Sequence, residues 1–509
     1  MDEQLGGVRS KEELTAAAAG GLRWMTYARI GIEVAMLGAM VLLARLIPPA
    51  EFGIFAVIVI VQELALTMPM EGVGSAIVQR REVDRRHLQG GLVLSLGSGL
   101  TLAALTVLLA TVLVEPLFGE RTAHLVLLAT PWFLLGAVYA VPVAVLRRRL
   151  DFRRLSIIEL AQSLTRVAAM LALAVAGLDA EALLLGCMAG MAVAMVMALA
   201  FVRVPLPRWQ SGAMRELLPY GGPAALACVA WTGFRNGDYA IIGAQLGTAA
   251  AGFYWRGYQL AVEYQRKIST VMTQMAFPVL ARAESADDML ALRRRIVQLL
   301  TVVLFPLLVS LAVLAPAVVP WLFGPAWEPA VVPTQILALG GAFVVVIDAA
   351  GSALMAEGRA RALLGYGIAH FAVYAGCVVA VAQHGLAAVA VAASVVHGIF
   401  LVVAYQVLLG GRGGRALRTL WGDVRAAVAA CTVLAAVAVP AAWALARVDA
   451  PVIVRLAAVA LAGGASYLAA LRTWFPEAWG DVMAALRRLV PARLLVVRAR
   501  RLSPSSSGA

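Results

Sequence analysis

Charged side chains recur inside stretches otherwise built from Ala, Val, Leu and Ile: Arg29 and Glu33, Glu63 and Glu71, Glu159 and Arg166, Arg235-Asn236 with Asp238, Arg256, Glu263, Arg266 and Lys267, and Asp348. In hydrocarbon each such group costs several kcal/mol, so it faces a bundle interior or water and is a functional candidate. Spacings of three or four place Arg29 with Glu33, Arg235 with Asp238, and Glu263 with Arg266 and Lys267 on shared helix faces, where local ion pairing is the simpler account. Glu71, Glu159 and Arg256, near run ends, could reach the interface. Pairing leaves unexplained why the charges gather in the first, second, seventh and eighth apolar runs. Arg29, Arg235, Asn236, Arg256, Arg266 and Lys267 are therefore candidates to hold an anionic substrate in a cavity, arginine being suited to bidentate phosphate contacts. Glu33, Glu63, Asp238, Glu263 and Asp348 are candidates for coupling an ion or proton.

The elements that carry these residues follow from hydropathy. Hydrophobic residues make up 62% of the 509 and charged residues 14%, far from the roughly 25% charged of a soluble domain. About 20 apolar residues cross a bilayer, and about fourteen runs of that kind succeed one another between residues 22 and 472. With the N-terminus in the cytoplasm, 32 of the 42 basic residues fall in inner segments and four in outer turns, which orients the chain by the positive-inside rule. The expected fold is all-α and polytopic: a cytoplasmic segment 1–21, a six-helix bundle 22–203, a cytoplasmic linker 204–216, a second six-helix bundle 217–409, a cytoplasmic loop 410–423, a helix pair 424–472, and a cytoplasmic amphipathic and frayed tail 473–509. Both termini then lie in the cytoplasm, and Trp24, Trp132, Trp321 and Trp327 fall near run ends as an aromatic belt would.

The net charge of +13 points to anionic phospholipids and away from nucleic acid, because the arginines sit between apolar runs. Cys187, Cys228, Cys377 and Cys431 each lie inside an apolar run and imply neither a disulfide framework nor a metal site. The first apolar run is too long for a cleaved signal core. Gly72-Val-Gly74 reads as close helix packing, and no Walker motif, zinc-ligand spacing or nucleophile elbow occurs. No cofactor and no catalytic residue are expected. His370, His384 and His397 read as packed side chains in or near the eleventh and twelfth runs.

A weak repeat at about 200 residues relates Leu46-Ile-Pro-Pro-Ala-Glu-Phe-Gly53-Ile-Phe55 to Leu246-Gly-Thr-Ala-Ala-Ala-Gly252-Phe-Tyr254, Leu117-Phe-Gly119 to Leu322-Phe-Gly324, and Arg149-Leu-Asp-Phe-Arg153-Arg154 to Glu357-Gly-Arg359-Ala-Arg361. Six runs separate the equivalents, so the halves are parallel, pseudo-symmetric repeats and the last two runs an addition. The ordered series Leu43–Phe55, Gly72–Arg80, Asn236–Gly243, Gly252–Leu260, Phe277–Leu280 and Trp321–Trp327 resembles the polysaccharide transporter family of oligosaccharide flippases, in the superfamily that includes the multidrug and toxin extruders. The resemblance spans about residues 15–410. It implies a bacterial inner-membrane flippase that moves a polyprenyl-pyrophosphate-linked oligosaccharide by alternating access for exopolysaccharide, capsule or lipopolysaccharide assembly, alongside a polysaccharide polymerase and glycosyltransferases. A cation-coupled multidrug exporter and a lipid II flippase are the alternatives; a membrane polymerase or ligase would need an outer domain, and no outer turn exceeds about ten residues.

Overall fold

A computed structural model describes residues 31–33, 35–269, 272, 286–356, 359–408 and 413–489. A spanning chain must satisfy every backbone N–H and C=O internally, which leaves helices as the solution for runs of this length. In chain order they are α1 (31–33 and 35–46), α2 (Pro49–Gln79), α3 (Arg85–Phe118), α4 (Glu120–Arg148), α5 (Phe152–Val175), α6 (Ala180–Phe201), α7 (Ser211–Leu246), α8 (248–269), α9 (Ala286–Phe323), α10 (Val331–Ala356), α11 (Ala360–Val381), α12 (Leu386–Leu408), α13 (Gly413–Arg447), α14 (Val452–Trp474) and α15 (Pro476–Leu489).

Among the described residues eleven of these are by length and apolarity able to cross a membrane. The others are α1, α7, α8 and the short polar α15. The expected first and eighth runs lie partly outside the described residues. Helix α7 begins at Ser211, inside the stretch expected to be linker, and α13 at Gly413, inside the expected loop. A 35-residue helix is about 50 Å long against a hydrocarbon layer of about 30 Å, so its basic first turns continue as helix beyond the lipid. The expected amphipathic tail is helical over Pro476–Leu489; residues from 490 lie outside the described part.

The chain divides into two compact units. The first takes the residues through Arg256 with Val319–Ala330 and Ala375–Ala388. Its core gathers Ile77, Ala140, Val141, Ala144, Leu146, Ile158, Ala194 and Ala198 from four helices. Arg148, the last residue of α4, donates to carbonyl oxygens at and just beyond the end of α2, among them Ile77 at 3.3 Å and Arg81 at 2.6 Å, where a cation complements the helix dipole.

Asp84 caps α3: its Oδ1 accepts from the backbone N–H groups of Arg86 and His87 at 2.9 and 3.1 Å, and Oδ2 from the Arg86 guanidinium. Burial pushes this carboxyl up, but the bonds from His87 and Arg86 outweigh it and bring the pKa down from 3.8 to about 2. The folded value is depressed, so the stabilisation is complete above about pH 4 and lost as pH falls towards 2. Asp84→Ala is expected to destabilise the protein by about 1 kcal/mol at neutral pH. Thermal melts in detergent should show the gap from wild type closing below pH 4.

Two repeat-related contacts shape the helix crossings. A Cβ on Gly53 would strike the carbonyl oxygen of Thr248 and stand 3.0 Å from the Gly252 nitrogen; a Cβ on Gly252 would strike the carbonyl oxygen of Pro49 and stand 3.0 Å from the Gly53 nitrogen. The first turns of α2 and α8 thus meet backbone to backbone around a local two-fold. Within the first unit Gly136 on α4 abuts the Ala65 carbonyl of α2. Within the second, Gly341 on α10 abuts the Ala261 carbonyl of α8 in the same way. Gly119 and Gly324 hold φ of +86° and +101°, a conformation that favours glycine and lets one residue break α3 from α4 and α9 from the segment before α10.

The second unit comprises Gly257–Val318, Val331–Tyr374 and the chain from Val389 on. Its core runs through Leu300, Leu304, Val345, Ala349, Leu401, Ala427, Leu434 and Tyr467, so α13 and α14 share one core with α9, α10 and α12. At one end of that core Arg293 of α9 forms a 2.7 Å ion pair with Asp423 of α13, both side chains at 2% exposure or less. The Tyr405 hydroxyl accepts from Arg293 at 2.9 Å and donates to Asp423 at 2.8 Å.

Candidate functional site

Glu63 stands near the midpoint of α2, with Arg235 and Asn236 opposite it on α7. Arg235 Nη2 lies 3.6 Å from Glu63 Oε1, and Asn236 Nδ2 donates to Glu63 Oε2 at 2.9 Å and to the Thr232 carbonyl at 3.1 Å. The two helices can bring these groups together because Gly72 and Gly221 allow close approach: a Cβ on Gly221 would come within 2.8 Å of the Gly72 carbonyl oxygen. Glycine at 72 is thus a packing residue, as its sequence context suggests. Arg235 keeps 35% and Glu63 27% of the side chain exposed, whereas Asn236 and Asp238 are buried at 4% each. Asp238 accepts the Tyr239 N–H at 2.9 Å. The spacing rule pairs Arg235 with Asp238 along one helix; the structure adds a contact across helices, to Glu63.

Arg256 occupies a different setting. It is 5% exposed, its guanidinium 4.1 Å from the Phe52 ring centroid, 5.0 Å from that of Trp255 and 5.9 Å from that of Trp327. Trp327 is fully buried. Its ring meets Phe52, Phe253 and Phe323 and its indole N–H donates to the Ala44 carbonyl at 2.8 Å. Arg45 Nε donates to the Leu322 carbonyl at 2.9 Å nearby. The belt position expected for Trp327 and Trp132 gives way to burial, since both are fully enclosed, while Trp321 stays 42% exposed. Arg256 is thereby enclosed by aromatic rings, a cation–π arrangement that stabilises a desolvated guanidinium.

In the second unit Arg266 Nε lies 3.7 Å from Asp348 Oδ2, and the Tyr258 hydroxyl hydrogen-bonds Arg266 with Glu263 within electrostatic reach. Glu263 ends a π-helical turn, Gln259–Glu263, of the kind that accompanies functional sites. Lys267 is exposed, with Nζ 5.1 Å from the Tyr264 ring centroid. Glu33 is half-buried on α1; Arg29, like Trp24, lies outside the described residues. His370 and His397, read from sequence as packing residues, meet each other in the same unit at a centroid distance of 5.2 Å. Their signal was present in the chain, for the two stand equidistant from the turn at Gln383-His384.

Residues 42–332 match the family described as polysaccharide biosynthesis protein, over more than half of the chain. The chain belongs to that family. Its aromatic nest gathers several of the stretches that carry the family resemblance, around Phe52, Gly252–Arg256 and Trp321–Trp327, and they serve there as packing. The lipopolysaccharide biosynthesis protein WzxC of Escherichia coli (strain K12) is 26% identical over 347 residues, 67% of this chain and 70% of the relative. The teichuronic acid biosynthesis protein TuaB of Bacillus subtilis (strain 168) is 24% identical over 374 residues, 70% and 77% of the two chains. Among solved structures, the lipid II flippase MurJ in an inward closed conformation matches at a TM-score of 0.70, with 13% identity, 89% of this chain and 99% of that one. An inward-facing multidrug resistance transporter of the MATE family matches at 0.61, with 14% identity, 76% and 95%. At such identities the likeness is one of fold: this member of the polysaccharide biosynthesis family is a multi-pass membrane protein with a transporter architecture.

Proposed function

We propose that the protein is a flippase carrying a polyprenyl-pyrophosphate-linked oligosaccharide across a bacterial cytoplasmic membrane by alternating access, with fourteen spans and both termini inside. Family membership and the names of the relatives support the class of cargo. The observation that carries the reading is the half-exposed Arg235, held by Glu63 near the middle of α2. An arginine kept charged at that depth offers a forked donor to a diphosphate, with Glu63 steering it and Asn236 steering Glu63. Within the second unit, Lys267 and the Arg266–Asp348 pair are candidate anion contacts of their own, and in the first unit Arg256, enclosed by rings, supports the scaffold. Inner arginines outside the caps hold anionic lipid headgroups.

The test is a headgroup-accessibility assay in proteoliposomes with a fluorescent polyprenyl-pyrophosphate disaccharide. Arg235→Ala is expected to slow translocation by about tenfold or more, the loss of one charge-assisted phosphate contact, while reconstituting as well as wild type. Arg235→Lys should recover part of the rate, since the charge remains and the fork is gone. Unchanged translocation by a well-reconstituted Arg235→Ala protein removes the residue from the site.

A further inference from the structure

Inside the second unit two imidazoles meet edge to face. His370 on α11 and His397 on α12 have ring centroids 5.2 Å apart at 87°. His370, 7% exposed, stacks its ring on Phe400 at 4.5 Å and 16°, and Tyr374 lies 5.6 Å from His397. Each histidine stands about halfway along its helix. Half of a 22-residue helix is about 16 Å, which places both rings near the centre of a hydrocarbon layer about 30 Å thick.

Aromatic packing alone calls for phenylalanine here, because even a neutral imidazole brings a donor and an acceptor that dry surroundings penalise. The neighbourhood is instead polar. Tyr366 donates to the Phe400 carbonyl at 3.1 Å, and the His397 ring hydrogen-bonds the Ala393 carbonyl. The titratable and charged groups that reach the pair are Tyr366 and Tyr374 of α11, whose rings lie 5.7 Å from His370 and 5.6 Å from His397, and Arg266 of α8; Tyr258 and Glu263 of α8 and Asp348 of α10 act in turn on Arg266. Arg266 acts electrostatically on His397 and Asp348 on Tyr366. Asp348 balances Arg266 at 3.7 Å. A second proton would set two imidazolium ions side by side next to Arg266.

We propose that His370 and His397 form a single-proton site within the second unit, and that loading and emptying it couples translocation to the transmembrane proton gradient. The coupling half rests on the flippase reading; the proton site does not. Histidine changes charge near physiological pH, which fits it to exchange a proton within a transport cycle.

The chain has five histidines, few enough to follow individually by NMR of the full-length protein, ring-15N-labelled at histidine, in phosphatidylethanolamine/phosphatidylglycerol nanodiscs from about pH 5 to 9. His370→Gln and His397→Gln assign the two signals, and through-space contacts to a labelled Phe400 ring assign His370 without mutation. The expected result is that one of the pair titrates and that replacing the other moves its midpoint by about one pH unit, a tenfold change in proton affinity. If neither titrates, or the midpoint ignores its neighbour, the site is overturned. In proteoliposomes flipping the fluorescent probe, an acidic trans side is expected to speed wild type by about tenfold and to leave the double glutamine variant unaccelerated. Wild-type flipping that ignores the gradient overturns the coupling and leaves the flippase reading standing; no flipping at all overturns both of those, and the titration still decides the proton site.

Discussion

Arg293→Met lowers the stability of the second unit by about 3–5 kcal/mol, seen as earlier thermal unfolding of the detergent-solubilised protein. The change strands the Asp423 carboxylate, 1% exposed, among apolar side chains, and an uncompensated buried charge is what makes the loss so large. Asp423→Leu should do the same from the other side by stranding the guanidinium. The double variant Arg293→Met/Asp423→Leu is expected to recover most of the loss, since a buried ion pair and a well-packed apolar pair often differ little in net stability. Tyr405→Phe removes a bridging hydroxyl and should cost about 1–2 kcal/mol. If the double variant melts no higher than either single one, the two charges are not each other's partners in the working protein. The triad also gives α13 a mechanical role: a helix that lies beyond the repeat is clamped to α9 and α12.

The second large effect falls on the meeting of α2 and α8. Gly53→Ala drives a methyl group into the Thr248 carbonyl, and because that contact is backbone, no side chain can swing aside. The helix starts must separate, at a cost of about 1–3 kcal/mol or more, and the aromatic nest around Phe52 and Trp255 loosens with them. Gly252→Ala pushes the same two helices apart from the other side, against Pro49. One separation relieves both clashes, so the double variant is expected to lose much less than the sum of the singles. Additive losses, read from melting temperatures, would mean that the two glycines relieve separate contacts.

Much of the architecture was legible in the chain because lipid imposes a simple code. Apolar runs of span length become helices wherever hydrocarbon forbids unsatisfied backbone, as they do from α2 to α14. The repeat was legible too, in Gly53 and Gly252, although sequence could show only that they are equivalent and not that they touch. What the chain could not show is which of several similar residues is enclosed. Arg293, Arg294 and Arg295 read alike as an inner basic cluster, yet Arg293 is buried against Asp423 while its two neighbours are exposed. The helical turn points one of three consecutive side chains at α13 and the others elsewhere.

The candidate charges divide along the same line. Sequence alone fixed their types and depth: Glu63, Arg235, Asp348 and the paired histidines had to lie inside apolar runs, and lipid makes that placement costly whatever their partners. Tertiary structure alone decided the partners, because those come from helices more than 80 residues apart in sequence for Asp348 and Arg266, and more than 170 for Glu63 and Arg235. No local periodicity encodes such contacts. Helix crossing set by small residues such as Gly72 and Gly221 turns an isolated charge into a cross-helix pair, and packing of the same kind sets Arg256 among the rings of Phe52, Trp255 and Trp327.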